Sequence, residues 1–261
     1  MGALGLRHKR VQRVRRLLAQ PSYRRAEGAF VVEGANLVGE ALRAGAAVEG
    51  VYAAPGGRGE PVVEEARARG VRVFQLGAGV IERATDTVTP QPVLAVAARL
   101  DVALEDVRPA GLVLVCVDVR DPGNLGTVLR TAEAAGVGAV ICCEGTVDVY
   151  NPKCVRASAG SMFHVRLVAG GEPVGVLERL GAWGTRRLGA AASGGDPYHQ
   201  VDFGGPTAIV LGNEARGLYG SAAAAAVDGW VTVPMVGRAE SLNVGMAAAV
   251  LCFEAARQRR A

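Results

Sequence analysis

Short apolar runs alternate along the chain with stretches whose apolar positions recur at helical spacing, and this alternation predicts strands and helices in turn. The segment LRHKRVQRVRRLLAQ, at 6–20, is predicted to be an amphipathic helix with its cations facing outward. After it, the pattern predicts strands at 29–33, 48–53, 71–76 and 93–99, and helices near 35–44, 61–69 and 78–84. We therefore expect a small α/β domain at the start of the chain.

The second half of the chain repeats this alternation with more strongly apolar runs. Its predicted strands are 112–118, 138–143, 163–168, 187–192, 207–211 and 230–234, and SAAAAAVDG at 221–229 is interpreted as an Ala-rich helix. Such spacing is typical of a mostly parallel sheet covered on both faces, which binds ligands at the carboxyl ends of its strands. The polar segment RLDVALEDVRPAG, at 99–111, separates the halves, so we expect domains at 1–103 and 104–261.

Composition narrows the class of protein. Half of the residues are hydrophobic, but no apolar run reaches the ~18–20 residues that cross a bilayer. The basic N-terminus has no apolar signal region behind it, so we expect a soluble cytoplasmic protein. The five cysteines are odd in number and show no C-x-x-C spacing. This is typical of reduced core thiols and indicates neither disulfides nor a metal site.

Positive charge is concentrated at the N-terminus. The formal net charge is only +4. The cations that precede the first acidic residue, Glu27, are Arg7, Lys9, Arg10, Arg13, Arg15, Arg16, Arg24 and Arg25. Both a solvated helix face in an arginine-rich composition and a phosphate-rich partner such as RNA explain this run.

Three polar segments follow predicted strands and should meet at one edge of the second sheet. They are DPGNLGTVLRTAEAAG at 121–136, LGNEARGL at 211–218, and VPMVGRAESLNVGM at 233–246. In the first, the helical projection places Arg130 opposite the apolar face. Asn124 and Ser241 have a simpler explanation as helix N-caps, and Asn213 and Glu214 are expected to begin a helix.

Several other signatures are absent from the sequence. It contains no G-x-x-x-x-G-K-[ST], no H-E-x-x-H and no G-x-G-x-x-G between a strand and a helix. Only three histidines are present, so the sequence gives little support to a catalytic relay based on histidine. His164 lies in the strand-like FHVRLV and is expected to be structural.

The segments NLGTVLRTA at 124–132, VLGNEARGL at 210–218, and VPM with ESLNV and AAAV at 233–250 together resemble the three motifs of the SpoU, or TrmH-like, branch of the SPOUT RNA methyltransferases. NPKCVRASAGS at 151–161 resembles that family's connection between the first two motifs. The first hundred residues, with YRRAEGAFVVEG, resemble the small L30e-like substrate-binding domain of many members. The resemblance implies transfer of a methyl group from S-adenosylmethionine to a ribose 2′-hydroxyl of RNA, by a homodimer whose C-terminal segment forms a deep trefoil knot. No metal is implied.

The resemblance also assigns roles to residues. The polar active-site positions are Asn124, Arg130, Glu214, Ser241 and Asn243. The cofactor-binding positions are Leu211, Gly212, Asn213, Val233, Met235, Ser241 and Leu242. With the resemblance, the basic N-terminus favours RNA contacts by Arg7, Lys9, Arg10, Arg13, Arg24 and Arg25, in addition to Arg130. A guanidinium is a poor base near neutrality, so Arg130 is expected to orient the RNA and to stabilise the developing alkoxide.

The substrate is less sharply defined. The L30e-like domain favours 23S ribosomal RNA over transfer RNA, and neither the nucleotide nor a role in antibiotic resistance can be read from the sequence. Two other classes stay open: a noncatalytic RNA-binding protein that retains the fold, and a SPOUT enzyme that methylates a base. The complete set of polar residues argues against the first, and the SpoU-type motifs argue against the second.

Overall fold

The computed structural model describes residues 2–85, 89–107 and 111–260. The chain divides into two compact units: the first contains the residues up to Leu100 and the segment Tyr150–Arg156, and the second contains Asp101–Val149 and the residues from Ala157 onward. The predicted connection at 99–111 includes residues 108–110, which lie outside the described residues.

The first unit is a four-stranded sheet with helices. Its strands are β1 (Ala29–Glu33), β2 (Val48–Ala53), β3 (Val73–Gln75) and β4 (Val93–Ala98), and its helices are α1 (Lys9–Ala19), α2 (Pro21–Glu27), α3 (Ala35–Arg43), α4 (Pro61–Ala68) and α5 (Val80–Ala84). The strand order is β1-β4-β2-β3, and only β2 and β3 pair in parallel. Val11, Val14 and Leu17 recur at helical spacing and bury one face of α1 in the core. The predicted elements of this unit are therefore present, with β3 shorter than predicted.

The second unit is a seven-stranded sheet in which every recorded pairing is parallel. The strands are β5 (Leu112–Cys116), β6 (Ala139–Cys142), β7 (Arg166–Ala169), β8 (Arg186–Ala191), β9 (Asp196–Pro197), β10 (Thr207–Leu211) and β11 (Gly229–Thr232), in the order β7-β6-β5-β10-β8-β11-β9. The helices are α6 (Pro122–Ala135), α8 (Pro173–Ala182) and α9 (Val244–Arg260), whereas α7 (Pro152–Ala157) belongs to the first unit except for its last residue. The central strands are buried along their whole length, as expected for a parallel sheet. The mostly parallel α/β fold is confirmed.

Two elements of the second unit differ from the prediction. The expected strand at 163–168 begins only at Arg166, because Ser161–Phe163 forms a 3₁₀ helix that ends at His164. The Ala-rich segment is also a 3₁₀ helix, Ala222–Ala226, and not an α-helix. It has little room to extend, since the N–H of Asp228 already bonds to the carbonyl of Arg187 at the start of β11.

The segment Tyr150–Arg156 is built into the first unit although it follows β6 in the chain. The Tyr150 ring packs against Phe30 with 4.8 Å between the ring centroids. Its hydroxyl accepts a hydrogen bond from the N–H of Leu100 at 2.8 Å. Arg156 pairs with the buried carboxylate of Glu33 at 3.1 Å. No feature of the sequence pattern predicted this placement.

All five cysteines are free and buried, in agreement with the expected reduced core thiols. Burial raises the pKa of the Cys143 and Cys252 thiols to about 12 in each case. These thiols therefore stay protonated and unreactive near neutrality.

Candidate active site

Neighbouring parallel strands bring the first two motifs together. At the end of the pairing between β5 and β10, Cys116 lies opposite Leu211. The N–H of Val117 extends the pairing by donating to the Leu211 carbonyl at 2.8 Å. The chain therefore leaves both strands at the same edge of the sheet, where parallel sheets bind their ligands.

Glu214 is the centre of a hydrogen-bond network that joins these segments. Its carboxylate accepts from the backbone N–H groups of Asp121 at 2.9 Å and Arg120 at 3.0 Å. It also accepts from Nδ2 of Asn124 at 3.0 Å. Oδ1 of Asn124 in turn accepts from Nδ2 of Asn243 at 2.7 Å. One polar side chain from each of the three motifs is thereby held in a single network.

The hydrogen bonds keep Glu214 ionised. Burial raises the pKa of its carboxyl, but the backbone donors of Arg120 and Asp121 and the side-chain donor of Asn124 outweigh burial. The pKa therefore lies below the ordinary value of 4.5. A carboxylate that already accepts several hydrogen bonds is suited to hold neighbouring groups in place and is a weak proton acceptor.

Asn124 is not the N-cap of its helix, which corrects the simpler explanation of this residue. Asp121 caps α6 instead: its Oδ1 accepts from the N–H of Asn124 at 2.9 Å, and Pro122 occupies the first helical position. The amide side chain of Asn124 is therefore available for the network.

Ser241 is not an N-cap either. Asn243 precedes the first turn of α9, and its Oδ1 accepts from the N–H of Gly245 at 2.9 Å. A Cβ at Gly245 would lie 2.8 Å from the Thr127 side chain on α6. A glycine there lets the two helices approach closely, which places Asn243 within reach of Asn124.

The segment after β10 is a tight turn and not the helix that was expected to begin at Asn213. The N–H of Asn213 donates to the Gly217 carbonyl at 3.2 Å, and the N–H of Gly217 donates back to the Asn213 carbonyl at 2.8 Å. Gly217 has a positive φ of 64°, which glycine adopts without strain. A Cβ at Gly212 would lie only 2.4 Å from backbone atoms of Gly217 and Leu218. Gly212 is therefore required by the close packing of the turn itself.

A cleft of about 250 Å³ opens beside this turn. It lies between the ends of β8, β10 and β11, the segment after β11 and the start of α9. The residues predicted to hold the cofactor all line it: Leu211, Gly212, Asn213, Val233, Met235, Ser241 and Leu242. Glu214 lines the same cleft, which places the network at its edge.

The lining of the cleft fits S-adenosylmethionine. Apolar side chains such as Val233 and Leu242 line part of the cleft, an environment suited to an aromatic ring. Among the described residues, the segment 233–242 makes no hydrogen bond between backbone groups. Its N–H and C=O groups are therefore available to a ligand with ring nitrogens and hydroxyls.

Arg130 lies apart from the other predicted catalytic residues. It is exposed on α6, as the helical projection predicted, and it does not line the cleft. Its guanidinium makes no hydrogen bond or ion pair within residues 2–85, 89–107 and 111–260. The structure thus brings together four of the five predicted polar residues, Asn124 and Asn243 with Glu214 by hydrogen bonds and Ser241 with Glu214 in the cleft lining.

The structure corrects one of the predicted RNA contacts at the N-terminus. Arg24 is only 2% exposed, and its guanidinium donates to the carbonyls of Leu17 at 2.6 Å and Leu18 at 3.0 Å. These carbonyls belong to the last turn of α1, whose C=O groups lack partners inside the helix. Arg24 therefore caps a helix, and it is not available to RNA.

The other cations of this region differ in their surroundings. Arg13 is bound to Glu27 and Glu49, with N–O distances of 2.7 and 2.6 Å, and the half-buried Arg10 lies over the Phe74 ring at 4.4 Å. The exposed cations are Arg7, Lys9, Arg15, Arg16 and Arg25. This exposed set is the part of the basic N-terminus that a phosphate backbone can reach.

Sequence reasoning missed several groups at the site. Asp118 was not singled out, yet its backbone carbonyl and carboxylate both accept from Nδ2 of Asn213. Tyr219 and the segment 190–193 line the cleft without having been predicted. The dipeptide Asp121-Pro122 is an N-cap signal that could have been recognised from the sequence.

Among the described residues, no group of three or more His, Cys, Asp or Glu side chains could hold a metal ion. In the same ranges, no helix combines the length and apolar character needed to cross a membrane.

Comparison with known proteins extends these observations. Residues 111–253 match the family described as SpoU rRNA Methylase family. Residues 8–95 match a domain described as MRM3-like substrate binding domain. The first match spans all three motifs, and the second covers most of the first unit.

Individual relatives agree with these matches. The 23S rRNA (guanosine(2553)-2′-O)-methyltransferase RlmP of Bacillus subtilis is 35% identical over 224 residues, which cover 86% of this chain and 87% of the relative. The SpoU methyltransferase AviRb of Streptomyces viridochromogenes, in complex with AdoMet, superposes with a TM-score of 0.87 at 29% identity, covering 98% of this chain and 99% of that chain. An rRNA methyltransferase from Sinorhizobium meliloti superposes with a TM-score of 0.86 at 29% identity, covering 98% and 97%.

These findings confirm the predicted enzyme class, an RNA methyltransferase that uses S-adenosylmethionine as methyl donor. The cofactor fits the cleft described above, and the matched region contains the whole network around Glu214. The chain belongs to the SpoU rRNA methylase family.

Proposed function

We propose that this protein transfers the methyl group of S-adenosylmethionine to a ribose 2′-hydroxyl of 23S rRNA. The observation that carries the proposal is the network of Glu214, Asn124 and Asn243 at the edge of a cleft suited to the cofactor. The name of the Bacillus subtilis relative supports both the 2′-hydroxyl and the 23S rRNA.

Some residues of the site are proposed to bind the cofactor, and others are proposed to bind the RNA. The backbone of Val233, Met235, Ser241 and Leu242 and the turn after β10 would hold S-adenosylmethionine, which supplies an electrophilic methyl group when bound. Glu214 fixes the turn against the start of α6 through its three donors. Such fixed geometry lowers the activation free energy of methyl transfer by holding the reacting groups in position. Intramolecular model reactions indicate that positioning can contribute roughly 7–11 kcal/mol.

Arg130 is assigned to the RNA. Its planar guanidinium can hold the phosphate and ribose beside the target hydroxyl and stabilise the alkoxide that develops there. The hydroxyl proton then passes to water or to a phosphate oxygen, because a protonated guanidinium has no capacity to accept it.

We further propose that the protein is a homodimer in which Arg130 serves the active site of the other copy. Arg130 does not line the cleft of its own chain. On α9, Met246 and Phe253 lie on one face of the helix and are 60% and 51% exposed. An apolar face of this kind is suited to burial against a second copy. The C-terminal segment packs back against β8, β10 and β11 to form the cleft, which supports the proposed trefoil knot.

We propose a substrate-binding domain at 1–103, which contains most of the first unit and binds the RNA substrate in the cytoplasm, and a catalytic domain at 104–261. This role is supported by the match to a substrate-binding domain and by five exposed cations: Arg7, Lys9, Arg15, Arg16 and Arg25. Phosphate neutralisation by such side chains contributes much of the affinity for RNA.

The proposal is tested by methyl transfer in vitro. The purified protein is incubated with methyl-labelled S-adenosylmethionine and either a 23S rRNA transcript or a transfer RNA mixture, and the RNA is digested to nucleosides. We expect a labelled 2′-O-methylnucleoside from the 23S transcript. A labelled base, or label in transfer RNA only, contradicts the proposal.

A further inference from the structure

Two exposed arginines beside the active site have no role in the account above. The side chains of Arg120 and Arg216 are 63% and 75% exposed. Arg120 lies just before α6, and Arg216 lies in the turn after β10. They therefore come from the two segments that Glu214 joins.

Both guanidinium groups are held by one carboxylate. Asp118 Oδ1 accepts from Nε of Arg120, and Asp118 Oδ2 lies 3.0 Å from the Arg216 guanidinium. Asp118 has a positive φ of 58°, a backbone conformation that Asp tolerates better than most residues. Asn213 holds it there by donating to its carbonyl at 2.9 Å.

The backbone of each arginine is also tied to the site. The N–H of Arg120 donates to the Glu214 carboxylate at 3.0 Å. The N–H of Arg216 donates to Oδ1 of Asn213 at 3.1 Å. The two side chains therefore start from fixed positions next to the network, and one shared carboxylate sets their separation.

This arrangement leaves several guanidinium donors without a partner. Both guanidinium groups contact Asp118, the Glu214 carboxylate lies at the backbone N–H of Arg120, and in the described part of the chain the remaining guanidinium N–H groups have no partner. Exposed ion pairs add little to folding stability, so stability does not account for the pair. Two planar groups with free N–H donors match the oxygens of a phosphate, which guanidinium binds in a bidentate manner.

We propose that Arg120 and Arg216 form a clamp for one phosphodiester of the RNA substrate, next to the target ribose. The inference rests on the proposed function, because it assumes that RNA enters at the Glu214 network. Arg216 also lines the cofactor cleft, so the carboxylate of S-adenosylmethionine is the competing anion. The affinity of each variant for the cofactor separates the two.

The direct test is the double variant Arg120→Gln/Arg216→Gln. We expect its affinity for a 23S rRNA transcript to fall roughly tenfold. The slope of log K against log salt should become shallower by about 0.7–0.9, the value for one phosphate contact. Calorimetry should show that any loss of affinity for S-adenosylmethionine is smaller than the loss of affinity for RNA.

The matched control is Arg179→Gln/Arg257→Gln, which removes two exposed arginines of the same unit that pair with Glu105 and Glu254. The control has the same net charge as the test variant. If both double variants bind RNA with the same affinity and salt slope, the effect is one of overall charge and the clamp is wrong. A loss of cofactor affinity with unchanged RNA affinity overturns it in favour of the cofactor carboxylate.

Asp118→Asn provides an independent test, because the clamp and the overall charge predict opposite changes in RNA affinity. The variant adds one positive charge, so overall charge alone predicts tighter RNA binding, whereas loss of the shared anchor predicts weaker binding. Asn tolerates the positive φ as well as Asp does, and cofactor affinity reports whether the turn after β10 is intact. Tighter RNA binding by Asp118→Asn overturns the proposal.

The test also separates this inference from the proposed function. If the wild-type protein binds the transcript but methylates no ribose, the proposed function fails while the clamp is still judged by the RNA affinities. If the wild type methylates and the double variant matches the control, only the clamp fails.

Discussion

Replacing Gly212 with alanine should damage the cofactor site by a steric mechanism that the structure defines. The added Cβ would lie 2.4 Å from both the Gly217 carbonyl carbon and the Leu218 nitrogen, and 2.6 Å from the Gly217 oxygen. All three are backbone atoms, so no side-chain rotation can relieve the contact. The turn must open by at least ~0.6 Å to reach even the shortest tolerated separation.

The cost follows from the hydrogen bonds of the turn. Opening by ~0.6 Å takes the 3.2 Å bond from Asn213 to the Gly217 carbonyl beyond hydrogen-bond distance. One or two such bonds and the overpacking together correspond to about 1–3 kcal/mol of unfolding free energy. The same movement displaces Asn213 and Glu214 in the cleft lining, so affinity for S-adenosylmethionine should fall at least ~10-fold.

The assay is titration calorimetry with S-adenosylmethionine, accompanied by urea unfolding. Gly205→Ala is the matched control, because nothing lies within 4 Å of a Cβ built at Gly205, and it should leave both measurements unchanged. Wild-type cofactor affinity in Gly212→Ala would refute the reasoning and remove the turn from the cofactor site.

Arg130→Ala should lower the single-turnover rate at least ~100-fold with unchanged cofactor affinity, and Arg130→Lys should recover little of it because lysine lacks the planar fork; a near-normal rate for the lysine variant contradicts this. Hydrogen bonds hold the pKa of Glu214 below 4.5 in the folded protein. The ionised carboxylate therefore stabilises the fold at pH values above its pKa in the unfolded chain, and this stabilisation is lost as the pH falls through the lowered pKa of the folded state. Glu214→Gln should therefore be less stable than wild type at neutral pH, and it should lose less stability than wild type on acidification. Urea unfolding at several pH values measures both effects, and parallel profiles of unfolding free energy against pH would contradict this role of Glu214. Arg24→Ala should reduce the unfolding free energy by about 2–3 kcal/mol, whereas Arg25→Ala should leave it unchanged and weaken RNA binding with a shallower salt slope; the opposite pattern would restore Arg24 as an RNA contact.

Regular elements and the convergence of the motifs were predictable from the sequence. The periodicity of 124–132 placed Arg130 on the exposed side of α6, where it lies. Parallel strands release their motifs at a common edge, so the meeting of residues after β5 and β10 followed from the pattern. The seven cofactor positions came from the family resemblance, and all of them line the cleft.

The remaining features depend on contacts between residues distant in the chain. Arg24 looked like one more surface cation, and only the packing of α2 on α1 turns it toward the carbonyl of Leu17. The pairing of Arg120 with Arg216 through Asp118 depends on the register of β5 with β10. Local periodicity carries no information about such contacts. The sequence therefore predicted the motif residues that meet at the cleft, but not the contacts that Arg24 and Asp118 make.

The central claim is methylation of a ribose in 23S rRNA, and the most direct measurement is mass-spectrometric mapping of that RNA from cells with and without the gene. The account predicts that one 2′-O-methylated nucleotide, whose 3′ phosphodiester resists alkali, is missing from the deletion strain and returns with the wild-type gene but not with Arg130→Ala. Identical maps from the two strains, or loss of a mark on a base with an alkali-sensitive backbone, would contradict the account.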